Sequence, residues 1–173
     1  MDASDKLSIS VRVDERRWCE LSIDVRDLCD CAVKASFVSA GQGAYGEVSV
    51  LLTNDLAMCE FNSQYRGREG PANVLSFPAH LRSAHSRVEV EPLLWGDIAI
   101  SFDRVKYEAK CEAKPIRDHT AHLVVHGTLH LLGFNHKEML DAAAMERLEV
   151  SSLARLGISD PYCMGANVEL SAP

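Results

Sequence analysis

Residues 116–136 read IRDHTAHLVVHGTLHLLGFNH, and the fold expected of the whole chain turns on this run. Ile116 to Leu132 reads as a helix, set off from a preceding helical stretch at Lys114-Pro115, where proline disfavours continuation. Helical residues four apart point the same way, so His126 and His130 can each offer an imidazole nitrogen to one ion. Gly133 then ends the helix by permitting a left-handed backbone, and the turned chain can bring His136 back against the same ion. Catalytic zinc sites commonly use three protein ligands and leave a fourth position for water or substrate. The expectation is a zincin-like metal helix, with zinc as the cofactor, one ion, held by His126, His130 and His136.

The spacing of 126, 130, 133 and 136 reproduces the metal and glycine positions of the metzincin pattern HExxHxxGxxH. Where those proteases carry the glutamate that acts as general base, this chain has Gly127, so peptide hydrolysis by their mechanism is disfavoured. A glycine inside a helix costs about 1 kcal/mol relative to alanine, which suggests that something needs a close backbone approach or an empty space at 127. His119 and His122 lie on the same helical stripe, as substitute ligands, supporting partners or plain capped imidazoles, and are left outside the trio.

Working outward, Leu7, Ile9, Val11 and Val13 alternate with polar residues, the period of a half-buried strand. From about Val25 to Ala40 the spacing of Leu28, Cys31, Ala32, Ala35 and Val38 suits one helical face. Val48 to Thr53 reads as an interior strand, and Asn54 as the N-cap of a helix with Met58, Phe61 and Tyr65 on one side, ending near Arg66-Gly67. Asn73 to Pro78 reads as an edge strand stopped by proline, residues 79–92 as a surface insertion, and Leu93 to Ser101 as the next strand. Helices are expected from Phe102 to Ala113 and from about Lys137 to Leu156, the last presenting Leu140, Ala144, Leu148 and Leu156. The sum is an α+β chain, a small mixed sheet of about four strands packed with about five helices.

At 173 residues with 47% apolar side chains, the length fits one domain spanning 1–173. No apolar run approaches the roughly 20 residues that cross a bilayer, and the polar, acidic start lacks the features of a signal peptide. A cytoplasmic location with no membrane partner is expected. Six scattered cysteines form no CxxC pair, and Cys29 and Cys31 read as packing residues. The net charge of −7 argues against coating nucleic acid by phosphate neutralisation alone, although Arg66, Arg68, Arg82 and Arg87 could supply a local basic groove.

HGTLHLLGFNH at 126–136 resembles the HGxLHLxGYDH signature of the YbeY family of bacterial rRNA maturation endoribonucleases. Phe61-Asn62 with Tyr65-Arg66-Gly67 and Asn73–Pro78 is similar to that family's YRGxxxPTNVLSFP block, with Ala72 in place of threonine. Gly96–Ser101 resembles its GDIxIS strand and Gly157–Tyr162 its ending, so the likeness runs from about residue 47 to 162. Asn135 and Phe134 depart from the family's aspartate and tyrosine, and the 79–92 insertion is longer than usual.

The resemblance implies metal-assisted cleavage of single-stranded RNA, in trimming near the 3′ end of small-subunit rRNA and in ribosome quality control. Expected partners are rRNA, the small ribosomal subunit, and a ribosomal protein or assembly GTPase. Arg66 would stabilise developing charge on the phosphate, and Asn73 and Ser76 would line the substrate groove. Asp97 is open as a general base or a turn residue. Two other readings stay beside this one: a zinc metallopeptidase, and a non-enzymatic ribosome assembly factor with a structural zinc.

Overall fold

In a computed structural model, which describes residues 6–79, 93–136 and 138–163, four strands form one mixed sheet. Strand β1 (Leu7–Val13) leads through a short 3-10 turn to helix α1 (Val25–Ser39), and β2 (Gly46–Thr53) leads to α2 (Asp55–Arg66). Next come β3 (Val74–Pro78), β4 (Leu94–Ser101), α3 (Phe102–Cys111), α4 (Ile116–Leu131) and α5 (Met139–Arg155). The order across the sheet is β1-β2-β4-β3, with β1, β2 and β4 parallel and the edge strand β3 antiparallel to β4. The α+β expectation and its element boundaries hold closely; the insertion expected at 79–92 lies outside the described residues, apart from its first position.

Side-chain alternation divides the packing between the two sheet faces. Val48, Val50 and Leu52 of β2 and Ile98 and Ile100 of β4 join the main core beneath α1 and α4. Ala99 and Leu75 point the other way and meet Met58 of α2 in a smaller cluster, with Leu51, Phe61 and Phe77 at its margin. Asp24 and Asn54 cap α1 and α2 by accepting from backbone N–H groups in the first turn, as the sequence predicts for Asn54.

Two positions depart from the expected pattern, and one buried aromatic carried no expectation. Trp18, in the 3-10 turn Arg16–Glu20, is fully buried, donates to the Thr53 carbonyl at 3.0 Å and meets Phe102 edge-on at 5.1 Å. Val38, expected inside, is 53% exposed because the core side of α1 runs through Ala32, Val33, Ser36 and Phe37. Leu140, expected on the buried face of the last helix, is 85% exposed, because the first turn of α5 overhangs and its packed face is Met145, Glu149, Ser152 and Leu153.

Helix α4 is covered nearly all round, with ten residues between His119 and Leu131 buried. Thr120 and Thr128 return their hydroxyls to the carbonyls of Ile116 and Val124, which satisfies their polar groups inside the core. A Cβ on Gly127 would come within 2.9 Å of Ile98 Cγ2 and 3.2 Å of Ser76 Oγ. The glycine is therefore the close approach that its helix-interior position suggests, and Ser76 secures it by donating to the Gly127 carbonyl at 3.1 Å. Gly127→Val should lower unfolding stability by about 1–3 kcal/mol through overpacking. A urea midpoint equal to that of the wild type would show that α4 does not need this approach.

Candidate metal centre

Helix α4 carries His126 and His130 one turn apart, and the chain turns at Gly133 (φ +92°) before His136. The three imidazoles singled out by their spacing come together. One nitrogen from each lies within 4.8 Å of the others, a grouping that could hold a metal ion. Ring centroids are 4.6 Å apart for His126 and His130, and His136 lies 5.5 and 5.1 Å from them.

Hydrogen bonds on the far side of two rings decide which nitrogen faces the centre. His126 Nδ1 lies 2.7 Å from Glu149 Oε1, and His130 Nδ1 lies 2.9 Å from the Phe134 carbonyl. Burial alone would raise the Glu149 carboxyl, but hydrogen bonds from His122, His126 and Tyr162 outweigh it and hold the group at about 2. A carboxylate and a carbonyl only accept, so both Nδ1 atoms donate. Burial, followed by the neighbouring His126, pushes His130 down to about 4, which leaves its ring neutral at ordinary pH. Its Nε2 then faces His126 Nε2 at 3.0 Å. With both Nδ1 atoms engaged outside, the two Nε2 atoms point into the space beside His136, where a cation could be held. Two nitrogens about 2.1 Å from a tetrahedral zinc lie about 3.4 Å apart, close to the spacing of the His126 and His130 pair.

The other residues named from the sequence fall around this centre in different ways. Arg66, the last residue of α2, is exposed, and its charge is the smallest of the influences that lower His130. Asn73 donates from Nδ2 to Glu108 Oε2 at 3.1 Å, and its Oδ1 accepts from the Val74 N–H. Ser76 faces α4 through its bond to Gly127. Asp97 pairs with Phe77 across the strands and points to the α2 side of the sheet, opposite to Ile98 and the histidines. Arg82 and Arg87 lie outside the described residues. His119 bonds Glu108 at 2.7 Å and His122 bonds Glu149 at 3.3 Å, and neither joins the trio.

Glu149 is the site residue that the sequence reading missed. It sits on the packed face of α5 between Met145 and Ser152, with its side chain 1% exposed. A carboxylate at a core position of an amphipathic helix was the available signal. A cleft of about 1300 Å³ opens beside these groups, lined in part by Asn73, Glu108, His119, His122, His126 and Tyr162.

Residues 11–157 match the protein family described as Endoribonuclease YbeY. The chain belongs to the YbeY family. A relative from Methylocella silvestris, named Endoribonuclease YbeY, is 40% identical across 89% of this chain and 85% of its own length. Another of that name, from Paramagnetospirillum magneticum, is 38% identical across 90% of this chain and 96% of its own. A Thermotoga maritima protein solved in solution shares the fold at a TM-score of 0.54 and 20% identity, over 91% of this chain and 100% of that one. Of the two departures from the YbeY signature, Phe134 leaves the centre's hydrogen bond intact, because His130 uses the backbone carbonyl and not the ring substituent.

The protonation pattern sets a pH dependence for the metal-free protein. His130 is lowered from 6.5 to about 4, so the unfolded chain takes up the proton first as pH falls. Its contribution to stability is complete above pH 6.5 and is lost as pH falls towards about 4. Thermal melting of chelator-treated protein should therefore decline more steeply over that interval in the wild type than in His130→Gln. Parallel curves would contradict the assignment.

Proposed function

We propose that this single hydrolase domain is a zinc-dependent endoribonuclease specific for single-stranded RNA. Its substrate would be rRNA, with trimming at the 3′ end of the small-subunit molecule and a part in ribosome quality control. The observation that carries the metal half is the pair of imidazole Nε2 atoms facing each other at 3.0 Å, with His136 beside them and both outer Nδ1 atoms engaged elsewhere. Family membership carries the RNA half.

His126, His130 and His136 would hold the zinc, which when bound supplies Lewis-acid chemistry, polarising a phosphoryl oxygen or lowering the pKa of a water. Arg66 binds the phosphate through a permanently charged planar fork and stabilises the charge that develops on it. Arg66 and Arg68 are exposed at the end of α2, whereas the cleft beside His126 is lined by Glu108, Glu112, Asp118 and Asp160. Carboxylates repel phosphates, so the RNA backbone crosses on the Arg66 side and the cleft receives uncharged parts of the strand. Asn73, on the cleft wall, is a substrate contact on this reading. Ser76 acts from below by holding the Gly127 carbonyl.

The small ribosomal subunit, with a ribosomal protein or an assembly GTPase, is the corresponding partner set, and the cytoplasm the corresponding location. Among the described residues no helix is long and apolar enough to cross a membrane. The peptidase reading is opposed by the space at Gly127, where even a Cβ would crowd Ile98, so the missing glutamate could not be accommodated.

Purified protein should contain one zinc per chain and cleave single-stranded RNA, but not casein, with loss of cleavage on chelation. His136→Ala should abolish cleavage while leaving the fold and ribosome association intact; joint loss of all three would favour a structural zinc in an assembly factor. Arg66→Ala should reduce kcat roughly 10²–10³-fold with zinc content unchanged. Full activity in that variant would remove Arg66 from the reaction.

A further inference from the structure

Three donors, two from α4 and one from beyond α5, converge on one buried carboxylate. Glu149, on α5, receives His126 Nδ1 on Oε1 at 2.7 Å. Its Oε2 is approached by His122 Nε2 at 3.3 Å and by the hydroxyl of Tyr162, which stands beyond the end of α5. The Tyr162 ring also meets the His122 ring edge-on at 5.8 Å. The carboxylate is thus fixed from two sides, and the single histidine of the trio that it touches has one orientation open to it.

We infer that Glu149 is the positioning residue of the metal centre: it locks His126 with Nε2 towards the ion and supplies the negative charge that strengthens that nitrogen as a ligand. The inference rests on the trio binding zinc, as proposed above. A carboxylate hydrogen-bonded to the outer nitrogen of a ligand histidine fixes its tautomer, aligns its ring and raises its basicity. His126 has such a partner, whereas His130 is oriented by the uncharged carbonyl of Phe134. The charge comes from α5 and the ligand from α4, so the packing of these two helices sets the strength of the site. Tyr162 and His122 hold Glu149 in place and do not touch the ion.

Substitution separates orientation from charge. In Glu149→Gln the amide oxygen can still accept from His126, because Tyr162 can rotate its hydroxyl and His122 can change tautomer to accept from the new NH2. Glu149→Leu removes both the acceptor and the charge while keeping the volume similar. Zinc affinity, measured by chelator competition on the full chain, should fall about 10-fold for Glu149→Gln and about 100-fold for Glu149→Leu. The His126 Nδ1 proton resonance should persist in the first variant and be lost in the second. A Glu149 that only joined two helices would lower the melting temperature of the metal-free protein and leave the zinc affinity of the folded fraction unchanged. Wild-type affinity in Glu149→Gln overturns the inference even if Glu149→Leu does not fold. Failure of the wild type itself to bind zinc would instead overturn the proposed function.

Discussion

The backbone of α4 lies so close to β4 and β3 at Gly127 that a single added carbon would press on Ile98 and Ser76, and the placement of the histidines follows from this contact. With α4 seated against the sheet, its next turn carries His126 and His130 to the edge of the core, where they are neither fully buried nor free in solvent. The depth matters chemically. A deeper position would exclude substrate, and a shallower one would leave the rings hydrated and mobile. Partial burial instead keeps His130 neutral with its lone pair directed at a neighbour.

The same seating explains why this chain lacks the glutamate of the metalloprotease pattern. A helix that presents two histidines at i and i+4 also presents position i+1 to whatever packs alongside. Here that neighbour is the sheet, and a side chain at 127 is excluded for steric reasons before catalysis is considered. The charges that surround the centre come from other elements: Arg66 from the end of α2, and Glu149 from the packed face of α5.

Glu149 is also the most demanding polar group in the core. A carboxylate with its side chain 1% exposed would be strongly destabilising if unpaired, and here three donors satisfy it. Two of these, His122 and Tyr162, lie outside the histidine trio and also line the cleft. Both bond the carboxylate on which His126 depends. Function and stability are therefore coupled at one residue of the last helix.

Local signals in the chain were enough to determine the strands, the Asn54 cap, the approximate helix ends and the histidine trio. Period-two alternation marks Leu7–Val13, Asn54 caps α2, and a four-residue helical step with a glycine stop brings His126, His130 and His136 together. Each of these depends on residues near one another in sequence, where backbone geometry alone relates them. Tertiary structure decided the rest. Leu140 and Val38 lie outside and Trp18 inside because neighbouring elements, not helical period, determine which face is covered. Asp97 faces away from the histidines because its strand is paired in a particular register. Glu149 reaches His126 across 23 residues of sequence through the packing of α5 on α4. No periodicity encodes that meeting, because the contact exists only once two separately formed helices have chosen the faces by which they touch.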